Sequence, residues 1–156
     1  MNTIKSTFVT DITLTSPVLF LIFNRPETTQ QVFSAIRKAK PPRLYVAADG
    51  PRSDYPNDAE SCEIARSIAT NVDWDCEVKT LFRERNLGCG LAVTSAIDWF
   101  FEQESEGIIL EDDTKPSEQF FKFINFGLSK YRDDKNIKSI CGYNPLTPKT
   151  EKMIES

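Results

Sequence analysis

Apolar and polar positions alternate along this chain in a regular order of short buried runs and helical patterns. Val18-Leu19-Phe20-Leu21-Ile22-Phe23 is a continuous apolar run, the mark of a strand covered on both faces. Pro26 then suits the first turn of a helix, with Glu27 at the positive end of its dipole. Val32, Phe33, Ile36 and Ala39 recur at helical spacing before Pro41-Pro42 stops the pattern. Leu44 to Ala48 reads as a second buried strand, ending in Asp49-Gly50-Pro51. Asn57-Asp58-Ala59-Glu60 resembles a capping box, and Ile64, Ala65 and Ile68 continue it as a helix. A third strand is expected near Cys76 to Phe82, opening into the loop Arg83 to Gly90. A helix over about Leu91 to Glu102 offers Ala92, Ala96, Trp99 and Phe100 to a core. Ile108-Ile109-Leu110 predicts strand four, Ser117 to Tyr131 a helix, and Ile137 to Cys141 strand five.

Strand and helix alternate throughout, which predicts an α/β fold with a mostly parallel sheet and helices on both faces. Residues 1–15 read as a loose polar lead-in, 16–145 as one α/β domain, and 146–156 as a polar tail. Ligands of such sheets bind beyond the carboxyl ends of the strands. That rule directs attention to Asn24-Arg25, Asp49-Gly50, Arg83 to Gly90 and Glu111-Asp112-Asp113.

Composition narrows the chemistry. With 156 residues, 40% of them apolar, the chain can bury one core. Its 23 acidic and 19 basic residues give a net charge of −4 without any Lys/Arg block, so the footprint of a nucleic-acid binder is missing. The longest apolar stretch, Val18 to Phe23, falls far short of the roughly 20 residues that span a bilayer. The lead-in lacks the apolar centre of a signal peptide, and a cytoplasmic protein is expected. There is no histidine, which removes His-based triads, and the four cysteines form no C-x-x-C. They are expected as reduced, small core fillers; Trp74, Trp99 and the Phe120-Phe121-Phe123 cluster are expected as packing residues.

Three consecutive carboxylates after a buried strand call for a counter-ion. Alternation lets Glu111 and Asp113 share a side while Asp112 faces away. Hard oxygens suit Mg²⁺ or Mn²⁺, whose remaining shell comes from water and phosphate; the plain alternative is an acidic approach to the helix at Ser117. Asp49 is placed to accept a hydrogen bond from a base or ribose, or simply to make a turn. Arg83, Arg85, Asn86, Gly88 and Gly90 form a basic loop entering a helix, suited to an anion or merely solvated.

Together these segments resemble the donor-binding half of a GT-A type glycosyltransferase over roughly Pro17 to Asn144. The carriers are Val18 to Pro26, Asp49-Gly50, Arg85-Asn86-Leu87-Gly88 and Leu110-Glu111-Asp112-Asp113. The last, with Pro116 and Phe120-Phe121, is closest to the N-acetylglucosaminyltransferase I group. The Asn-Arg-Pro ending of strand one is similar to bacterial polysaccharide glycosyltransferases. The resemblance makes the acidic triplet the D-x-D equivalent. It implies Asp113 as direct Mn²⁺ (or Mg²⁺) ligand, Asp112 by the ribose and Glu111 by the transferred sugar. Asp49 would lie near the uracil, with Asn24-Arg25 bordering the same pocket. Arg85, Asn86 and Gly88 complete the expected donor site. The implied activity is transfer from a UDP-sugar to a carbohydrate acceptor of a surface polysaccharide, with inversion. The resemblance puts the catalytic base after Asn144, where Thr147 to Ser156 offers none, so no catalytic residue is assigned and self-association through an uncovered apolar face is expected. Two other classes share the features: a nucleotidyltransferase acting on a sugar phosphate, and a non-catalytic nucleotide-binding or assembly half-domain.

Overall fold

The structure is a computed structural model that describes residues 14–142; the tail expected over 146–156 and most of the lead-in lie outside them. Four strands alternate with four helices in the order β1 (Val18–Ile22), α1 (Pro26–Ala39), β2 (Arg43–Ala48), α2 (Asp58–Thr70), β3 (Glu77–Phe82), α3 (Cys89–Phe101), β4 (Ile108–Glu111) and α4 (Glu118–Tyr131). The strands pair in parallel in the order β3-β2-β1-β4, a Rossmann-like α/β arrangement. Leu19 stands beside Tyr45 and Ile109, and Leu21 beside Ala47 and Glu111.

Side-chain alternation divides the core into two layers. Val18, Phe20 and Ile22 of β1, with Leu44, Val46 and Ala48 of β2, face one side. There they meet Val32, Phe33 and Ile36 of α1, Ala65 and Ala69 of α2, and Phe121 and Ile124 of α4. Leu19, Leu21, Tyr45 and Ala47 face the other side and meet Ala96 and Phe100 of α3. The helices therefore do cover both faces, three on one and α3 alone on the other. The core begins at Leu14, which is buried, and Thr15 bonds Asn125 on α4.

Local chemistry sets the helix limits. Pro26 occupies the first turn of α1, and Lys40 ends it in the left-handed region at φ 49° ahead of buried Pro41. The Ser117 hydroxyl accepts from Phe120 N at 3.1 Å and caps α4. Two expectations are corrected. Asn57 does precede α2, but its side chain makes no cap; its backbone is already helical at φ −90° and ψ −5°, whereas a capping residue is extended. The helix does run through Ile64, Ala65 and Ile68 as expected; Ile64 is exposed on it, and Cys62, Ala65 and Ala69 form its packed stripe. Strand five does not form over Ile137 to Cys141. After α4 a turn held by Asp134, whose carbonyl accepts from Ile137 N at 3.1 Å, sends the chain back along the helix. Ile140 then lies on Gly127 and Phe120 on Gly142, so this segment's apolar groups are spent on α4 rather than on a ladder.

Of the four cysteines only Cys62 is a buried filler; Cys76 is half-buried, and Cys89 and Cys141 are exposed. Trp74 and Trp99 pack against the two core layers, while Phe123 is half exposed. Among the described residues no helix is long and apolar enough to cross a membrane.

Candidate functional site

The chain reverses its direction of winding between β1 and β4. From β1 it runs outward through α1 to β2 and α2 to β3; α3 then carries it back across the opposite face to β4. Neighbouring strand ends diverge at such a switch, and a crevice opens between their loops. Here that crevice is a cleft of about 460 Å³, within the range of small-molecule sites. Its floor is apolar, from Leu21, Ala47, Leu81, Val93 and Ala96. Its rim collects the polar ends of all four strands.

The acidic wall comes from β4. Asp112 is buried, and its Oδ2 accepts from Phe23 N at 3.0 Å, which ties the ends of β1 and β4 together. Burial pushes this carboxyl above its ordinary value, against the opposing pull of the Phe23 amide and the Arg25 guanidinium. Arg25 spans the same gap, donating to Asp112 Oδ1 at 3.2 Å and to Asp113 Oδ2 at 2.7 Å. Asp113 is half exposed, its other oxygen in reach of the Thr114 hydroxyl at 3.3 Å. Glu111 is exposed on the rim and has no ion-pair partner among the described residues. Asp112 is buried while Glu111 and Asp113 are exposed, but β4 ends at Glu111 and one Arg25 nitrogen meets both aspartates, so Asp112 does not face away from Asp113 as strand alternation would have it.

The opposite wall joins two segments that are far apart in sequence. Asp49 Oδ1 accepts from Gly50 N at 2.8 Å and Leu87 N at 2.9 Å; Oδ2 accepts from Asn86 Nδ2 at 3.0 Å and Gly88 N at 3.1 Å. Asn86 also donates to Gly50 O at 3.0 Å. Gly50 is buried beneath the backbone of Arg85, where any Cβ would collide with the Arg85 main chain. Asp49-Gly50 and Arg85 to Gly88 are therefore one latch. Arg66 of α2 reinforces it by donating to the carbonyls of Asp49 at 3.3 Å and Arg83 at 2.6 Å. Gly88, at φ 81°, turns the latch into α3, whose first turn carries no side-chain cap.

Of the residues expected at the site, Arg25, Asp49, Asn86, Gly88, Glu111, Asp112 and Asp113 line this cleft together. Three do not. Asn24 turns away, donating to Asp58 Oδ1 at 2.8 Å; Gly50 lies beneath the latch; Arg85 contributes main chain there and leaves its side chain exposed.

Sequence reasoning missed the Arg52–Asp58 pair. Asp58 starts α2 and is buried, and Arg52 reaches it twice, with Nε at 2.6 Å and a terminal nitrogen at 3.0 Å. Those hydrogen bonds, with help from Asn24, hold the Asp58 carboxyl far below the usual carboxylate range. Arg52 also stacks on Tyr55 at 3.7 Å and lines the cleft. The available signal was an Asp beside a helix start with an Arg six residues earlier. That pattern is common and reads first as a cap.

The donor set can be weighed for a cation. No group of three acidic or thiol side chains converges among the described residues, so no cage built from protein alone is formed there. Asp113 is half exposed at the cleft rim, with Glu111 nearby in the chain, but its Oδ2 is already held by Arg25 at 2.7 Å, so a cation there would share that carboxylate with the guanidinium. That set suits a cation which takes most of its shell from water and phosphate, the habit of Mg²⁺ and related ions.

The fold is a Rossmann-like α/β arrangement with a cleft at its switch point. Compared with protein-family models and with curated proteins, the chain matches none.

Proposed function

We propose that this chain binds the donor of a metal-dependent glycosyltransferase of the GT-A type, taking a UDP-sugar for inverting transfer to a surface-polysaccharide acceptor in the cytoplasm. The observation that supports it most is the convergence on one cleft of Asp113 and Glu111 from β4 with Arg25 after β1 and the Asp49 latch after β2. A nucleotide needs such a floor, apolar enough to cover a base, beside polar strand ends that meet its ribose and phosphates. Asp113 would hold a Mn²⁺ or Mg²⁺ ion, and that ion, when bound, neutralises charge developing on the leaving diphosphate. Arg25 and Asp112 keep the ends of β1 and β4 at a fixed separation, which orients the Asp113 carboxylate toward the cleft. The Asp49 latch plays a supporting part: with its carboxylate filled by four donors, it shapes the wall on which the base would lie.

Thermal unfolding tests the reading. A ligand at a hundredfold excess over its Kd adds about 2.7 kcal/mol to the folded state. UDP with Mn²⁺ should raise Tm by several degrees, and UDP alone by less. Equal shifts from UDP and from ATP or GTP, or none from any of them, would refute a uridine-nucleotide site.

A further inference from the structure

Three arginines line the cleft, and two already have acidic partners: Arg25 holds Asp112 and Asp113, and Arg52 holds Asp58. Arg83 is different. Its side chain makes one hydrogen bond, a donation to Ser95 Oγ of α3 at 3.1 Å, and faces no carboxylate in ion-pair range among the described residues.

Its position is fixed from several sides. Arg83 N donates to Ala48 O at 3.0 Å, carrying the β2–β3 ladder one residue past the end of β3. Strand alternation then puts Arg83 on the same side as Leu81, the side that packs on α3, where Ser95 meets it. Arg66 grips its carbonyl at 2.6 Å. A half-buried guanidinium is thus held over an apolar floor, with most of its five donors unused. Such a fork suits the oxygens of a phosphate better than any neutral group.

The geometry points to Arg83, presented by Ser95, as the anchor for a phosphate of the ligand, independent of the cation at the acidic wall. This assignment rests on the donor-binding reading of the cleft and deepens it. The cation of the loop after β3 that meets the ligand is Arg83 rather than Arg85.

Calorimetry of the full chain with UDP, uridine and inorganic pyrophosphate, each with and without Mn²⁺, tests it on wild type, Arg83→Gln and Arg83→Lys. Circular dichroism and the melting temperature confirm that each variant folds; Arg83→Lys keeps the charge if Arg83→Gln does not fold. UDP affinity should fall roughly tenfold or more in Arg83→Gln, as expected for a lost charge-assisted hydrogen bond, with or without Mn²⁺. Uridine affinity should stay unchanged, and Arg83→Lys should fall between. Wild-type UDP binding that Asp113→Ala abolishes but Arg83→Gln leaves intact would overturn the anchor and keep the donor site. Pyrophosphate binding lost in Arg83→Gln, with no UDP binding by wild type, would keep the anchor and overturn the nucleotide reading. An equal loss for UDP and uridine would overturn the anchor by showing that Arg83 acts through the fold.

Discussion

Replacing Asp49 by alanine removes the acceptor for four donors at once: the amides of Gly50, Leu87 and Gly88 and the Asn86 side chain, all between 2.8 and 3.1 Å. A hydrogen bond to a charged acceptor is worth about 1.5–3 kcal/mol net. The four share one carboxylate, and their donors are only partly buried, so water recovers much of the loss and the sum is not additive. A cost of about 3 kcal/mol is expected, near the top of the ordinary range for single substitutions. Urea unfolding followed by tryptophan fluorescence measures it; with a slope of roughly 1.5–2 kcal/mol/M the midpoint should fall by about 1.5–2 M. Amide exchange at Leu87 and Gly88 should accelerate in the variant. Asp49→Asn keeps one acceptor oxygen but aims an N–H group at other donors, and should lose about 2 kcal/mol. A loss below about 0.5 kcal/mol for Asp49→Ala, with Leu87 and Gly88 still protected, would refute the latch and return Asp49 to a direct ligand role.

Other substitutions probe the frame around the cleft. Gly50→Ala must displace the Arg85 main chain, and should cost at least as much as Asp49→Ala in the same urea assay. Because the Asp58 pKa is depressed, its contribution is complete above the ordinary carboxylate value of about 4. As pH falls from there toward the depressed folded value, the unfolded chain binds the proton first and stability is lost. Asp58→Asn should therefore be less stable at neutral pH, and its curve should converge with that of wild type in acid; parallel curves would contradict the pairing with Arg52. At the other end of the sheet Glu104 accepts from Arg43 at 2.6 and 3.0 Å and from the Tyr45 hydroxyl at 2.8 Å. Burial alone would raise its pKa, yet these partners hold it below the usual value. Glu104→Ala removes the acceptor of the Tyr45 hydroxyl, which keeps only the donation from Lys79 at 3.4 Å, and should cost about 2 kcal/mol by denaturation, with no effect on the cleft.

Elements whose physics is local were the legible ones. β1, β2 and β4 are short apolar runs bounded by turn residues, and α1 and α4 carry their own stop and start chemistry in Lys40-Pro41 and Ser117. The parallel topology followed from alternation, and so did the edge where the polar residues gather. What stayed hidden depends on partners distant in sequence. Ile137 and Ile140 have a strand pattern, but Ile140 packs on Gly127 of α4 and the segment makes no ladder. Asp58 looked like part of a cap because nothing local reveals Arg52 and Asn24 folding onto it. Asp49-Gly50 and Arg85 to Gly88 were read as two loops, and only the parallel pairing of β2 with β3, which brings their carboxyl ends side by side, makes them one latch. Arg83 and Arg85 are indistinguishable by composition; Arg83 still carries the last β2–β3 ladder bond, whereas the chain bends at Glu84-Arg85 and lays the Arg85 backbone over Gly50, and that needed the exact end of β3.

The central claim is that a uridine diphosphate group and a divalent cation share the cleft, with the cation on Asp113. Titration calorimetry of UDP into the full chain with and without Mn²⁺, repeated on Asp113→Ala, tests it most directly. Binding should be tight with Mn²⁺, weaker by at least tenfold without it, and insensitive to Mn²⁺ in Asp113→Ala. Absence of UDP binding under all conditions, or binding and Mn²⁺ dependence unchanged in Asp113→Ala, would contradict the account.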